Sequence, residues 1–447
     1  MAEPGSDSGL ACFAPCPRGL EDALVEELAE LSIPGARATA GGVHFTGAWS
    51  DAYRVNLLSR IASRVLVRIV QGRYRSEDDI YRLAIEQDWM AWFSVEQTLR
   101  VDVTAGSGKA KSGLKSLEFV TLRIKDAICD RFRNAIGKRP SIATREPDVR
   151  VFAYLDASTC TLYLDTSGEP LFKRGWRIEA GEAPLRENLA AGILRLAGWK
   201  PGIALLDPMC GSGSFVVEAA QTIFGIAPGA HRSFGFERLK NFDAVVWGRL
   251  KEGAAAGAPA AGRACDDATA SAVASLRASD VSGDAVTLTR ANLERAGIAA
   301  EVALAIAGKQ IDARQVKPHA DVGIVVANPP YGERIAIRGE RSSRSHQDPR
   351  DGGPDADSSA LDDFFIEFGN ALKQRFAGWS CHILTSDMNL QRKLRLSPDR
   401  RVPLFNGAIE CRLFRFALVA GQHGRHAEHA PSSAPSGTAA KTNSSGQ

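Results

Sequence analysis

The stretch "GIALLDPMCGSGSFVVEAA", Gly202 to Ala220, fixes more of the architecture than any other part of the chain. An apolar run ends at Asp207, turns through Gly211 and Gly213, and passes directly into a second apolar segment starting near Ser214. This order predicts a strand, a glycine loop and a helix. Glycines let backbone come close to a ligand, and a helix start offers unpaired N–H groups with positive potential. Strand-like and helix-like patterns then alternate as far as about residue 420, which predicts a parallel α/β sheet.

What the loop lacks narrows the ligand. A P-loop needs a lysine, and none is present; a dinucleotide fingerprint needs a third glycine where Val216 stands. A carboxylate ahead of a shortened glycine turn instead suits a ligand with a cationic amino-acid end, as in S-adenosylmethionine. A glycine turn alone is also compatible with a plain strand-to-helix connection. Downstream, Asp280 closes the weak strand pattern "VASLRASD" and Asp312 lies in "KQIDAR", where carboxylates are placed for ribose hydroxyls and for an adenine amino group. Each acid alone is equally well read as a helix cap or a solvated loop residue. As an ordered series ending at Asn328, they mark the strand-end edge where ligands bind in open α/β folds.

Asn328 opens "NPPY" after the apolar run "VVA". Proline fixes its own φ and pushes the preceding residue toward extended geometry, so Asn328 and Pro329 are held stiffly at the strand end. A base amino group is a poor nucleophile because its lone pair is delocalised into the ring. Two oxygens, the Asn328 side chain and the Pro329 carbonyl, would accept its N–H hydrogens and favour a geometry that aims the lone pair. Pro330 continues the stiff segment, and Tyr331 offers a face for an extruded base, a stack worth ~1–3 kcal/mol.

At 447 residues the chain exceeds one core, so two or three domains are expected, and 44% hydrophobic with 24% charged residues is ordinary globular material. No run approaches the ~18 apolar residues of a membrane helix, and no secretory leader pattern opens the chain, so a cytoplasmic protein without a membrane partner is expected. The eight cysteines have no zinc spacing, which favours reduced thiols and no metal. Upstream of the α/β region, "LEDALVEELAEL" places Leu20, Leu24, Leu28 and Leu31 on one helical face before the extended "GGVHFTG" and "RVLVRIVQG". A second α+β unit runs from "TLRVDVTAG" through a helix striped by Ile124, Ile128, Phe132 and Ile136 to two strands around the turn at residues 156–159. The net charge is only +3, but Lys109, Lys111 and Lys115 in a Gly/Ser loop, with Arg123, Lys125, Arg131 and Arg133 on the helix, form a local basic face. A solvated charged face is the plainer account of such a run, and RNA contact, mostly to phosphates, is the functional one. Residues 253–275 and the polar stretch 338–360 read as loops. The tail 421–447, including His423, His426 and His429, has too few apolar residues to pack.

Taken together, "DPMCGSGS", "NPPYGER", "KRGWRIEAGEAPLRENLAAGILRLAGW" and "LFNGAIECRLFRF" resemble the THUMP-containing class I RNA methyltransferases, nearest to the bacterial large-subunit ribosomal RNA guanine-N2 methyltransferases. The resemblance covers roughly residues 10–420. It implies a ferredoxin-like domain at 10–72, a THUMP RNA-binding domain at 73–178, a Rossmann-like methyltransferase domain at 179–420 and a disordered tail. Implied cofactor residues are Asp207, Pro208, Cys210, Gly211, Gly213, Asp280 and Asp312, with Asn328, Pro329, Pro330 and Tyr331 at the target amine. Ser214 stands where threonine is more usual, a harmless exchange if the hydroxyl serves at the helix start. The implied partner is 23S ribosomal RNA, with transfer RNA second. DNA adenine methylation is disfavoured by the preceding RNA-binding module, and a catalytically silent assembly factor would need neither intact loop.

Overall fold

The structure, a computed structural model, describes residues 9–106, 114, 116–177, 185–256, 266–329 and 354–419. Lys109, Lys111, Lys115, Pro330, Tyr331, most of the 338–360 stretch and the tail lie outside them.

The first half is β1 (Leu10–Pro15), α1 (Glu21–Glu30), β2 (Arg37–Thr39), β3 (Gly42–Gly47), α2 (Trp49–Leu58), β4 (Leu66–Arg73), α3 (Glu77–Ile85), β5 (Leu99–Ala105), α4 (Leu117–Ile136), β6 (Val149–Leu155) and β7 (Thr159–Asp165). Leu20, Leu24 and Leu28 are fully buried, as their spacing requires, while Leu31 is only partly so. α4 starts at Ser116, whose side chain accepts from Phe119 N–H, and ends at Gly137 in the left-handed region. Its stripe is Ile124, Ile128 and Phe132; Ile136, in the last turn, is 50% exposed. The two expected α+β units share one seven-stranded sheet, ordered β2-β3-β1-β4-β7-β6-β5, because β4 pairs antiparallel with β7 along its whole length. The expected boundary at residue 72 therefore falls at the end of the joining strand.

The second half is α5 (Glu187–Leu196), β8 (Leu205–Asp207), α6 (Ser214–Ile223), α7 (Ala244–Ala256), α8 (Asp267–Ala274), β9 (Leu276–Asp280), α9 (Gly283–Arg295), α10 (Ala300–Ile306), β10 (Lys309–Gln310), β11 (Ile324–Ala327), α11 (Pro354–Arg375), β12 (Ser380–Thr385), α12 (Leu390–Lys393), β13 (Arg400–Asn406) and β14 (Ile409–Ala417). The sheet order is β10-β9-β8-β11-β12-β14-β13, parallel through β12 and closed by an antiparallel hairpin. All four residues of β11 are buried, as expected of a parallel strand covered on both faces.

The weak strand pattern "LRASD" is a strand, as expected, held by pairing on both sides, with β8 and with β10. Two local expectations are corrected. The Ala-rich stretch 253–275 is helical at both described ends, the last turn of α7 and all of α8. Alanine has the best helix propensity, and the Asp266 side chain caps α8 by accepting from Thr269 N–H at 2.8 Å. Residues 354–360 are the start of α11, where proline at the first helical position lacks only an N–H that would be unpaired anyway.

The halves pack tightly. A Cβ added at Gly192 on α5 would stand 2.2 Å from Leu20 Cδ1. Glu218 on α6, fully buried, receives Arg60 Nη1 at 3.1 Å and Arg174 Nε at 3.2 Å, joining the first half, the connecting segment and the second sheet's helix layer. Among the described residues no helix is long and apolar enough to cross a membrane, and the seven described cysteines are buried as thiols.

Candidate cofactor and target-base site

Because β10, β9, β8 and β11 are adjacent and parallel, their carboxyl ends lie on one edge of the sheet. Asp207 ends β8, Asp280 ends β9, Asp312 follows β10 by two residues and Asn328 directly follows β11. The series inferred from strand patterns thus lies on one edge, in the spatial order Asp312, Asp280, Asp207, Asn328, which puts Asn328 next to Asp207.

At the glycine loop, Gly211 and Gly213 have φ of +54° and +82°, the left-handed region. A Cβ at Gly213 would also meet Thr289 Cγ2 at 2.6 Å, whereas one at Gly211 would point into open space. Gly213 is the residue before α6, so the helix N-terminus faces this loop. Pro208 and Cys210 are buried in the turn, Cys210 N–H donating to the Ser279 carbonyl at 3.0 Å. Burial, the Asp207 charge and Asp280 push the Cys210 thiol well above its ordinary range, so it packs as a neutral group.

Asp207 is 1% exposed, and its described hydrogen bond is from Met209 N–H at 3.3 Å. Burial pushes its carboxyl well above the ordinary range, and the neighbouring Asp280 charge adds to the push. Asp280 accepts Gly211 N–H at 3.0 Å on one oxygen and Ser282 N–H at 2.9 Å on the other, so it holds the loop as well as facing the edge. Two carboxylates beside an open glycine turn, with no cationic side chain bonded to either among the described residues, fit a ligand that brings an ammonium group and hydroxyl donors.

Asp312 is engaged by Arg314 through Nη2 at 2.7 Å and Nε at 3.1 Å, and it also caps the 3-10 turn Ala313–Gln315. Burial raises its carboxyl, but the Arg314 contacts outweigh this and hold it below the ordinary range. Its second lone pairs, not a free carboxylate, are what the edge receives. The Asn328 Oδ1 atom is buried and has no hydrogen-bond partner among the described residues, and Pro329 is buried behind it.

Several residues that brace the loop escaped the sequence reading. Arg177, from "KRGWR", donates to Ser212 Oγ at 2.9 Å, Ser214 Oγ at 2.6 Å, Glu187 Oε1 at 2.8 Å and the Leu185 carbonyl at 3.1 Å. The Ser214 hydroxyl in turn donates to the Leu185 carbonyl at 3.0 Å, so it docks Arg177 and does not cap its helix. From α9, Thr289 Oγ1 donates to the Gly211 carbonyl at 2.9 Å and Asn292 Nδ2 to the Ser212 carbonyl at 2.8 Å.

The expected basic face is largely neutralised where it is described. Arg123 pairs with Asp78 at 2.6 Å and stacks over Tyr81, Lys125 pairs with Asp126 at 3.2 Å, and Arg133 with Asp130 at 2.9 Å. Arg131 buries its Nε atom without a partner among the described residues. The described part of α4 therefore carries paired charges of both signs.

The chain matches three family models: an RlmL ferredoxin-like domain at residues 11–66, a THUMP domain at 74–165, and the RMKL-like methyltransferase domain of UPF0020 at 174–343. Ribosomal RNA large subunit methyltransferase K/L of Psychromonas ingrahamii is 36% identical over 92% of this chain and 50% of its own length. The protein of the same name from Shewanella baltica strain OS185 is 35% identical over 91% of this chain and 53% of its own. The chain thus spans about half the length of these curated relatives. Among solved structures, SMU.472 complexed with SAH is 25% identical with a TM-score of 0.72, covering 92% of this chain and 99% of that one. With the strand-end acids and the braced glycine loop in place, the cofactor of this domain is S-adenosylmethionine; the chain belongs to the THUMP-containing class I methyltransferases.

Proposed function

We propose that the protein methylates the exocyclic N2 of a guanine in large-subunit ribosomal RNA. The observation that carries this reading is the series Asp207, Asp280, Asp312 and Asn328 at the carboxyl ends of four adjacent parallel strands, the last bearing a buried acceptor without a described partner. The curated relatives' name supplies the substrate class. In this reading the division is a ferredoxin-like unit at 10–72, a THUMP unit at 73–178, a catalytic unit at 179–420 and a tail.

Asp207 would take the cofactor's ammonium group, the N-terminus of α6 behind the glycine loop its carboxylate side, Asp280 the ribose hydroxyls and Asp312 the adenine amino group. When bound, S-adenosylmethionine supplies an electrophilic methyl group. The chain's part at the target is positioning: Asn328 Oδ1 and the Pro329 carbonyl accept the two N–H hydrogens of the guanine amine, turning its lone pair out of conjugation. Pro330 stiffens the pair, and Tyr331 stacks on the base. Lys109, Lys111 and Lys115 remain candidates for phosphate contact from their loop.

The test is incubation of the full chain with isotopically labelled cofactor and either protein-free 23S ribosomal RNA or transfer RNA, followed by nucleoside analysis. Labelled N2-methylguanosine in ribosomal RNA is expected; label in transfer RNA alone would replace the substrate. Asn328→Ala should lower methyl transfer by on the order of 10²–10³ with S-adenosylhomocysteine affinity retained. Full activity in that variant would remove the proposed role.

A further inference from the structure

The first sheet has one face packed into the core and one that is buried only in part, chiefly along β7. Cys12, Ala14, Val43, Phe45, Val67, Leu162, Leu164, Val151 and Ala153 point inward and are buried. Residues directly opposed in register share a face, and the registers Arg37↔His44, His44↔Phe13, Arg68↔Tyr163 and Tyr163↔Phe152 trace the other face across six strands. An ordinary solvated sheet face alternates small polar and charged residues. This one is aromatic.

Phe13 lies 4.7 Å from the His44 ring and 6.1 Å from Tyr163. Tyr163 forms the floor at 7% exposure, Phe13 and Phe152 are half-buried, and His44 and Tyr154 are exposed, the latter by 44%. Between these rings stands Arg68, exposed, with no ion-pair partner among the described residues, and close enough to act electrostatically on both His44 and Tyr163. Arg37 at the β2 edge is likewise exposed and unpaired among them. The acids of this face are already taken, Asp165 by Arg64 and Asp102 by Arg100. Its uncompensated charge is therefore positive, in contrast to the paired charges of α4.

We propose that this sheet face is where a single-stranded segment of the RNA substrate is held, its bases stacked on His44, Phe13 and Tyr154 and a phosphate on Arg68. Rings with exposed faces interleaved with unpaired guanidinium groups suit unstacked bases on a charged backbone. A duplex keeps its bases stacked and offers no free base face to such rings. The inference rests on RNA being the substrate, as proposed above, and places its contact across both accessory units.

The experiment is a fluorescence-anisotropy titration of the full-length protein with a short labelled RNA of mixed sequence, single-stranded or annealed to its complement, over a range of salt. His44→Ala and Tyr154→Ala should each weaken single-strand binding by roughly five- to hundred-fold, while Tyr154→Phe binds as wild type. Arg68→Ala should reduce the slope of log affinity against log salt by about 0.7, and Arg68→Lys should restore it. S-adenosylhomocysteine affinity, unchanged in all of them, excludes misfolding. Wild-type affinity for the single strand in the three alanine variants, or tighter duplex binding insensitive to them, would overturn the surface while leaving RNA as the substrate. No binding of either RNA by the wild-type chain would bring down the RNA reading and the surface with it.

Discussion

Asp207 sits at the end of β8 with one backbone N–H at 3.3 Å to support its charge and a second carboxylate nearby. A carboxyl whose folded pKa is raised is most favourable to stability in acid, where it is neutral in both states, and becomes unfavourable as pH rises through the folded value. Asp207→Asn should therefore raise the thermal midpoint at neutral pH, by roughly 2–4 °C for each kcal/mol regained at this domain size, and lose that advantage in acid. The same variant should bind S-adenosylhomocysteine more weakly, because the carboxylate is what a cationic ligand would pair with. Thermal scans across pH with and without ligand check both halves; a midpoint that falls at neutral pH would refute the account. Asp207, Asp280 and the two glycines were legible because a strand end, an acid and a turn are local in sequence. Thr289 and Asn292 were not, since they reach the loop from 78 and 80 residues away and look like ordinary helix residues.

At the level of elements, the connecting segment before α5 does more than join two halves. Arg177 spends its guanidinium on Ser212, Ser214, Glu187 and Leu185, holding the cofactor loop and the first turn of α6 in one geometry. Arg177→Lys keeps the charge but cannot reproduce the planar fork. Its expected effect is on the order of ten-fold weaker S-adenosylhomocysteine binding with little change in RNA affinity, measurable by calorimetry and anisotropy; unchanged ligand binding would show that the loop holds its shape without it. Sequence patterns found most elements here, "LRASD" among them, a poor strand pattern made good by pairing; they misjudged α8, which lies in a stretch whose Ala and Gly content read as a loop. The cations of α4 were visible, as were Asp126 and Asp130 beside Lys125 and Arg133 on the same helix, whereas the pairing of Arg123 with Asp78 depends on how α3 and α4 lie together.

In the whole molecule, the division into an accessory α+β half and a parallel α/β half followed from the change in pattern after "FKRGWR". The fusion of the two accessory units into one sheet did not, because pairing of β4 with β7 spans about a hundred residues of sequence and leaves no periodic trace. Between the halves lies the pair of arginines on Glu218. Glu218→Gln would leave Arg60 and Arg174 buried beside a neutral group, and breaking a buried pair in this way costs about 3–5 kcal/mol. Denaturant unfolding followed by tryptophan fluorescence should show that loss, with one transition expected for the wild type and two for the variant; an unshifted midpoint would mean the contact contributes nothing to coupling.

A junction locked by buried charge has a geometric consequence. With the accessory sheet and the strand-end edge tied through that contact, the distance from the proposed RNA surface to the proposed target-base site is set by the fold. On the function proposed above, such an enzyme would work as a caliper: among many chemically identical bases, it would select the one that the folded RNA presents at that span.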